Sequence, residues 1–268
     1  MPIIPFTESL RREYENLFNS CVIKPNSLQA FEEIISKLTA SKNRYLEVNQ
    51  SIGVPWSFVG VIHNMESGLD FTKHLHNGDP LTARTVQVPA GRPKKGSPPF
   101  SWEESAIDAL TIKGLSAKTD WSLAGTLYQL ERYNGFGYRL YHPQVLTPYL
   151  WSGSNHYSGG KYVADGTWSD IAISKQSGAA ALLRRMAEMN LIEFDDQPAP
   201  QPNTPPLVVG YSMVKSADPS VVSRVEELQK WLNTFPGIFV KPDGVPGNRT
   251  SEAYKKVTGS YLSGDPRQ

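Results

Sequence analysis

Apolar side chains recur along the first third of the chain at helical spacing. Leu10, Tyr14, Leu17 and Phe18 are four, three and one positions apart, which places them on one face of a helix over residues 8–18. Leu28, Phe31, Ile34, Ile35 and Leu38 repeat the pattern in a longer helical stretch, 27–48, with Asn26 or Ser27 as its N-cap. A third helix is predicted over VPWSFVGVIHNMESG, with Pro55 in its first turn and Gly68 at its stop. Val54, Phe58, Val61, Ile62 and Met65 make that helix apolar enough to be deeply buried. FTKHLHNGDPLT then alternates about an Asn-Gly turn signal, which predicts a short strand or hairpin. Residues 83–101, rich in Pro, Gly and Lys, predict a long surface loop. Helical patterns resume at WEESAIDALTIKG, DWSLAGTLYQLERYNG and DIAISKQSGAAALLRRMAEM, with an aromatic, glycine-rich run between the last two. The expected class is mostly α with one small β-hairpin.

The pattern is interrupted once. DDQPAPQPNTPP, residues 195–206, holds five prolines in twelve positions and predicts an extended, semi-rigid linker. We therefore expect a large domain over 1–194, a linker over 195–207 and a small helical domain over 208–268. With 39% hydrophobic and 20% charged residues the chain can bury a core. A net charge of +1 argues against a protein that neutralises a nucleic-acid backbone. Cys21 stands alone, so no internal disulfide is expected. No apolar run approaches the roughly 20 residues of a membrane span. The first residues lack a basic segment followed by an apolar one, so no signal peptide is expected. A monomer without cofactor is the expectation.

Ionisable groups concentrate in VIHNMESGLDFTKHLHNGDPLT, residues 61–82, which carries three histidines, one glutamate and two aspartates in 22 positions. Glu66 closes the apolar third helix, just before a glycine. Partial burial and the negative end of the helix dipole both oppose its ionisation and raise its pKa, as a general acid requires. Asp79, thirteen positions on, lies at the NGDP turn, where a hairpin could fold it back towards Glu66 across a groove. Two carboxylates facing each other with room for a water describe an inverting glycosidase. Against this stands the plainer reading of a solvated helix-terminal Glu and an ordinary turn, with Asp70 a loop or capping residue. A metal reading would use His74 and His76 with His63 or Asp79, but it lacks a spacing such as HExxH. Glu103 and Glu104 are alternative acids, although acidic residues in a first helical turn need no further reason.

Three ordered stretches over about residues 7–190 carry a resemblance. IHNMESG, WSLAGTLYQLERYNGFGYR with its Tyr133-Asn134-Gly135 element, and NGDPLTARTVQVPAGRP together with TPYLWSGSNHYSGGKYVADG look like bacterial and phage chains of the lysozyme superfamily of glycoside hydrolases. Gly135 also suits a helix C-cap. The tail, residues 222–259, resembles a peptidoglycan-binding three-helix bundle through LQKWLN, Asp243-Gly244, Gly247, Thr250 and Ala253. There Gly244 and Gly247 would allow a tight turn and Thr250 would cap the next helix.

The resemblance implies a lysozyme-like α+β fold and an enzyme that hydrolyses β-1,4 bonds of peptidoglycan at the cell envelope or outside the cell. Glu66 would protonate the leaving oxygen and Asp79 would activate water. His74, His76, Tyr133, Asn134, Tyr138, Trp151, Asn155, His156 and Tyr157 would line the groove, Trp151 and Tyr157 being equally eligible for the core. A polysaccharide is the expected partner, and no metal is required. Chitin, chitosan or another glucan, a lytic transglycosylase reaction, and a non-enzymatic wall-binding or phage structural role are the alternatives. The basic residues Arg84, Arg92, Lys94 and Lys95 weigh against cationic chitosan.

Overall fold

The structure, a computed structural model, describes residues 4–164, 166–194, 196, 205 and 209–268. It is mostly helical with one small antiparallel pair of strands. Two compact units are formed, one of residues Met1–Tyr14 and Val22–Leu183, the other of Glu15–Cys21 and Arg184–Gln268. Most of the proline-rich stretch 195–207 lies outside the described residues.

Helix α1 (Glu8–Asn19) gives its residues up to Tyr14 to the first unit and the rest to the second, and α2 (Leu28–Ala40), α3 (Lys42–Ile52) and α4 (Trp56–Ser67) follow in the first. The longer helix expected over 27–48 is thus two helices, broken at Ser41 (φ −96°, ψ 8°). Apolar spacing runs through the break, from Leu38 to Tyr45 and Val48, so periodicity alone does not reveal it. α4 is the central helix. Phe58, Val59, Val61 and Ile62 are fully buried, and α2, α3 and the later helix over Leu123–Asn134 pack around it. Gly60 lets these helices approach, since a Cβ there would lie 3.1 Å from Leu38 and 3.2 Å from the Tyr45 ring. Ser101 and Glu104 form a capping box that starts α5 (Trp102–Ile112). Ser122 caps α6 (Leu123–Asn134), which is followed by α7 (Gly137–Tyr141) and α8 (Pro148–Trp151).

Around Asn77-Gly78 only an isolated bridge forms, Lys73 with Pro80. Two backbone bonds flank this bridge, from the His74 amide to the Asp79 carbonyl and from the Leu81 amide to the Thr72 carbonyl, and the chain between them closes at once into a turn, the Gly78 amide reaching the His74 carbonyl. The two strands are instead β1 (Lys161–Ala164) and β2 (Thr167–Ser169), on either side of the Asp165-Gly166 turn signal. The helix expected over 170–189 is confined to α9 (Ala179–Glu188). Gly178 precedes it because a Cβ there would lie 2.4 Å from the Leu150 carbonyl.

The second unit gathers Phe18 edge-on against Phe194 and Phe239, at 5.5 and 5.4 Å. Arg184 donates to the Phe18 and Asn19 carbonyls and ion-pairs with Glu188. Residues 209–268 contribute two helices, α10 (Pro219–Leu232) and α11 (Asn248–Thr258), rather than three. Val225, Leu228, Leu232, Val257 and Leu262 form their core. Gln229 is the polar hub: its amide donates to Asp243, Val245 and Thr250 and accepts from the Asp243 and Gly244 amides, all within 3.1 Å. Gly244 is left-handed (φ +75°), as its turn requires. Gly247, in contrast, is extended (φ −82°, ψ −165°) and itself occupies the N-cap, while Thr250 sits inside the helix and bonds the Val245 carbonyl.

Candidate active site

Glu66 sits in the last turn of α4, and the chain leaves that turn through two successive left-handed residues, Gly68 (φ +61°) and Leu69 (φ +66°). Leucine rarely adopts this conformation, which costs roughly 1–2 kcal/mol. Amides of both residues close onto the helix end, Gly68 to Asn64 and Leu69 to His63. The strained exit turns the chain abruptly away from Glu66.

Three other elements converge on this carboxyl. Tyr149, nearly buried on α8, donates its hydroxyl to Glu66 Oε1 at 2.8 Å. Burial first, and the charge of Glu66 second, raise the pKa of both Tyr149 and Tyr133, which lies in the last turn of α6. Lys113, at the C-cap of α5, holds its ammonium 4.7 Å from the centre of the Tyr133 ring. Glu66 itself is reached by water, yet protein surrounds it closely enough that desolvation dominates its titration. Its pKa is raised by burial, against the opposing pull of the Tyr149 hydrogen bond and of Lys113. A raised pKa favours the protonated carboxyl, the form that can donate to an ether oxygen.

Among the described residues no second carboxylate enters the titration of Glu66. Asp79 accepts three hydrogen bonds on Oδ2, from the Val86 amide (2.7 Å), the Gln87 amide (3.0 Å) and the Asn77 side chain (3.0 Å). These donors, the Gln87 and Val86 amides first, hold its pKa below the usual carboxylate range. Asp79 is therefore the anchor of the 83–92 loop, and it makes no contribution to the shift of Glu66. Asp70 is tied to Thr72, which lowers its pKa to about 2. Glu103 is paired with Arg44, and Glu104 belongs to its capping box.

Most of the expected groove residues are structural. His74 is fully buried, with Nδ1 against Ser105 and Nε2 against the Ala83 carbonyl, both at 2.8 Å. His76 is buried against Asp108, which also takes a two-pronged ion pair from Arg92. These bonds secure the 70–92 segment to α5 and correct the expectation of sugar contacts from His74 and His76. They also occupy the imidazoles that a metal would need. Among the described residues no group of three or more His, Cys, Asp or Glu side chains could hold a metal ion. His63, beneath the site, packs among Tyr45, Phe71 and Trp102.

Trp151 and Tyr157 belong to the core, at 1% and 3% exposure, and Tyr138 packs edge-on against Tyr162 and Trp168 at 5.6 Å. Asn155 pins the Val22 amide at 2.8 Å, and His156 lies edge-on to Trp151. A cavity of about 340 Å³ has Glu131, Tyr138, Arg139 and Trp151 in its wall but none of the Glu66 cluster. Only Tyr133 of the expected groove residues joins Glu66, with Asn134 exposed beside it.

Tyr149 and Lys113 were not signalled. Tyr149 and Trp151 are two positions apart in one short helix and so face roughly opposite ways. The sequence does not say which one faces Glu66. Lys113 reads as a lysine complementing a helix C-terminus. Comparison of the chain with family models, with curated proteins and with solved structures finds no match, so the reading of this site rests on its own geometry and chemistry.

Proposed function

We propose that the chain is a glycoside hydrolase with a lysozyme-like catalytic part, cleaving β-1,4 bonds of peptidoglycan at or outside the cell envelope, with Glu66 as general acid. One observation carries the reading: a water-accessible carboxyl at the end of a buried helix, its pKa raised by burial and its orientation fixed by Tyr149. Protonation of the glycosidic oxygen by such a group releases the leaving sugar through an oxocarbenium-like state. Tyr133 and Asn134 offer an aromatic face and an amide to a sugar ring. The C-terminal unit supports a wall-binding role through the LQKWLN and Asp243-Gly244 marks, which would raise the local concentration of enzyme on an insoluble polymer.

A second reading follows because, among the described residues, no second carboxylate enters the titration of Glu66. With Asp79 committed to its loop, Glu66, once deprotonated, is the base left at the site. It would activate either a water or the sugar's own C6 hydroxyl, the latter giving 1,6-anhydro ends. Purified sacculi incubated with the protein and resolved by mass separate the two, since the products differ by one water. Glu66→Gln keeps the shape and removes the proton donor, and a loss of about 10²–10⁴-fold in muropeptide release is expected. Release by the variant at the parent's rate would remove Glu66 from the chemistry.

A further inference from the structure

Lys113 opposes the task of its neighbour. The proposed acid must hold a proton, and a cation beside it favours proton loss. The placement is nevertheless built from both ends. The Lys113 carbonyl accepts from Arg132 Nη2 at 2.6 Å, and its ammonium lies 4.7 Å from the centre of the ring of Tyr133, the next residue on α6. Backbone and side chain are thus both fixed to the α6 terminus that meets Glu66. The side chain is exposed, and among the described residues it forms no ion pair with an Asp or Glu. A cation held by an aromatic face, rather than by an acid, keeps its charge available to a ligand.

We propose that Lys113 determines specificity at this site, its ammonium pairing with a carboxylate that the glycan carries next to the bond Glu66 protonates. The inference rests on the hydrolase reading and narrows its substrate to carboxylate-bearing glycans over neutral chitin and cationic chitosan. Tyr133 would then serve both partners, its face steadying the ammonium and its edge meeting the sugar.

The test uses peptide-free strands of alternating N-acetylglucosamine and N-acetylmuramic acid, and the same strands with the carboxyl reduced to an alcohol. kcat and KM are measured for the full-length parent, Lys113→Gln and Lys113→Arg. The parent should show a KM up to roughly fivefold lower on the carboxylate strands, the upper scale of an exposed ion pair. Lys113→Gln should have the same KM on both, and Lys113→Arg should restore the preference, which a merely structural lysine would not do. Equal KM values for the parent on both strands, or a preference kept by Lys113→Gln, would overturn the assignment. If the parent cleaves neither strand and leaves sacculi intact, the hydrolase reading itself falls.

Discussion

Removing the Tyr149 hydroxyl should make Glu66 hold its proton more tightly. In the folded protein that hydroxyl donates to Oε1 at 2.8 Å, and a donor to a carboxylate stabilises the ionised form. Tyr149→Phe leaves the ring in place and deletes only this bond. A hydrogen bond to a charged group contributes about 1.5–3 kcal/mol when water is excluded. Glu66 is open to water, which replaces part of what is lost, so about 1 kcal/mol is a sounder figure. The lost stabilisation falls on the ionised form alone, so the pKa of Glu66 moves up. The direct assay is a ¹³C titration of the glutamate side-chain carboxyl carbons, with Glu66→Gln identifying the resonance. In the parent its midpoint should lie above the ordinary 4.5, and in Tyr149→Phe higher still. On a glycan substrate the alkaline limb of the activity profile should move up with it. A parent midpoint at or below 4.5, or a variant midpoint that stays put or falls, would refute the claim that burial sets this group and Tyr149 tempers it.

His63 predicts acid lability of the first unit. Burial lowers its pKa to about 4 from 6.5, the Asp70 carbonyl only partly offsetting this. Arg44, Glu103 and the rings of Tyr45, Phe71 and Trp102 are its other neighbours. As pH falls below 6.5 the unfolded chain takes up a proton that the folded one refuses. Stability should therefore drop by up to about 3 kcal/mol between pH 6.5 and 4. Urea midpoints for the parent and His63→Phe across this range measure it, and parallel curves would count against it. Asp79→Ala should speed amide exchange at Val86 and Gln87 by roughly tenfold or more, because each amide loses a charged acceptor. A variant that keeps exchange slow at both amides yet loses muropeptide release would make Asp79 the base and not the anchor.

The helical frame was largely legible because its signals are local. Leu10, Tyr14 and Phe18 mark the buried face of α1, and the all-round apolar character of α4 marks the helix against which α2, α3 and α6 pack. Pro55 and Gly68 bound that helix, Pro55 as N-cap rather than in the first turn. What failed was the competition between similar signals. Asn77-Gly78 and Asp165-Gly166 both announce a hairpin. Two strands form at the second, where Tyr162 and Trp168 pair across the strands, and only a bridge at the first, where the chain closes at once into the turn from His74 to Gly78. The break at Ser41 was invisible for the opposite reason, since the apolar spacing continues across it.

At the site, burial of Glu66 could be anticipated from one helix, whereas its partners could not. Position along α4 determines how crowded the carboxyl is, and that requires only the apolar run before it. Which acid faces it depends on where a loop more than ten residues away is pinned. Here the loop is pinned by the very groups that looked chemical: Asp79 through two backbone amides, His74 through Ser105, His76 through Asp108. Side chains able to hold a ligand are also the ones best able to satisfy a buried turn, so their density in residues 61–82 measures how much irregular backbone needs anchoring as readily as it marks chemistry. Glu66 differs from them because the structure leaves it accessible to water and still raises its pKa, a combination that anchoring does not require.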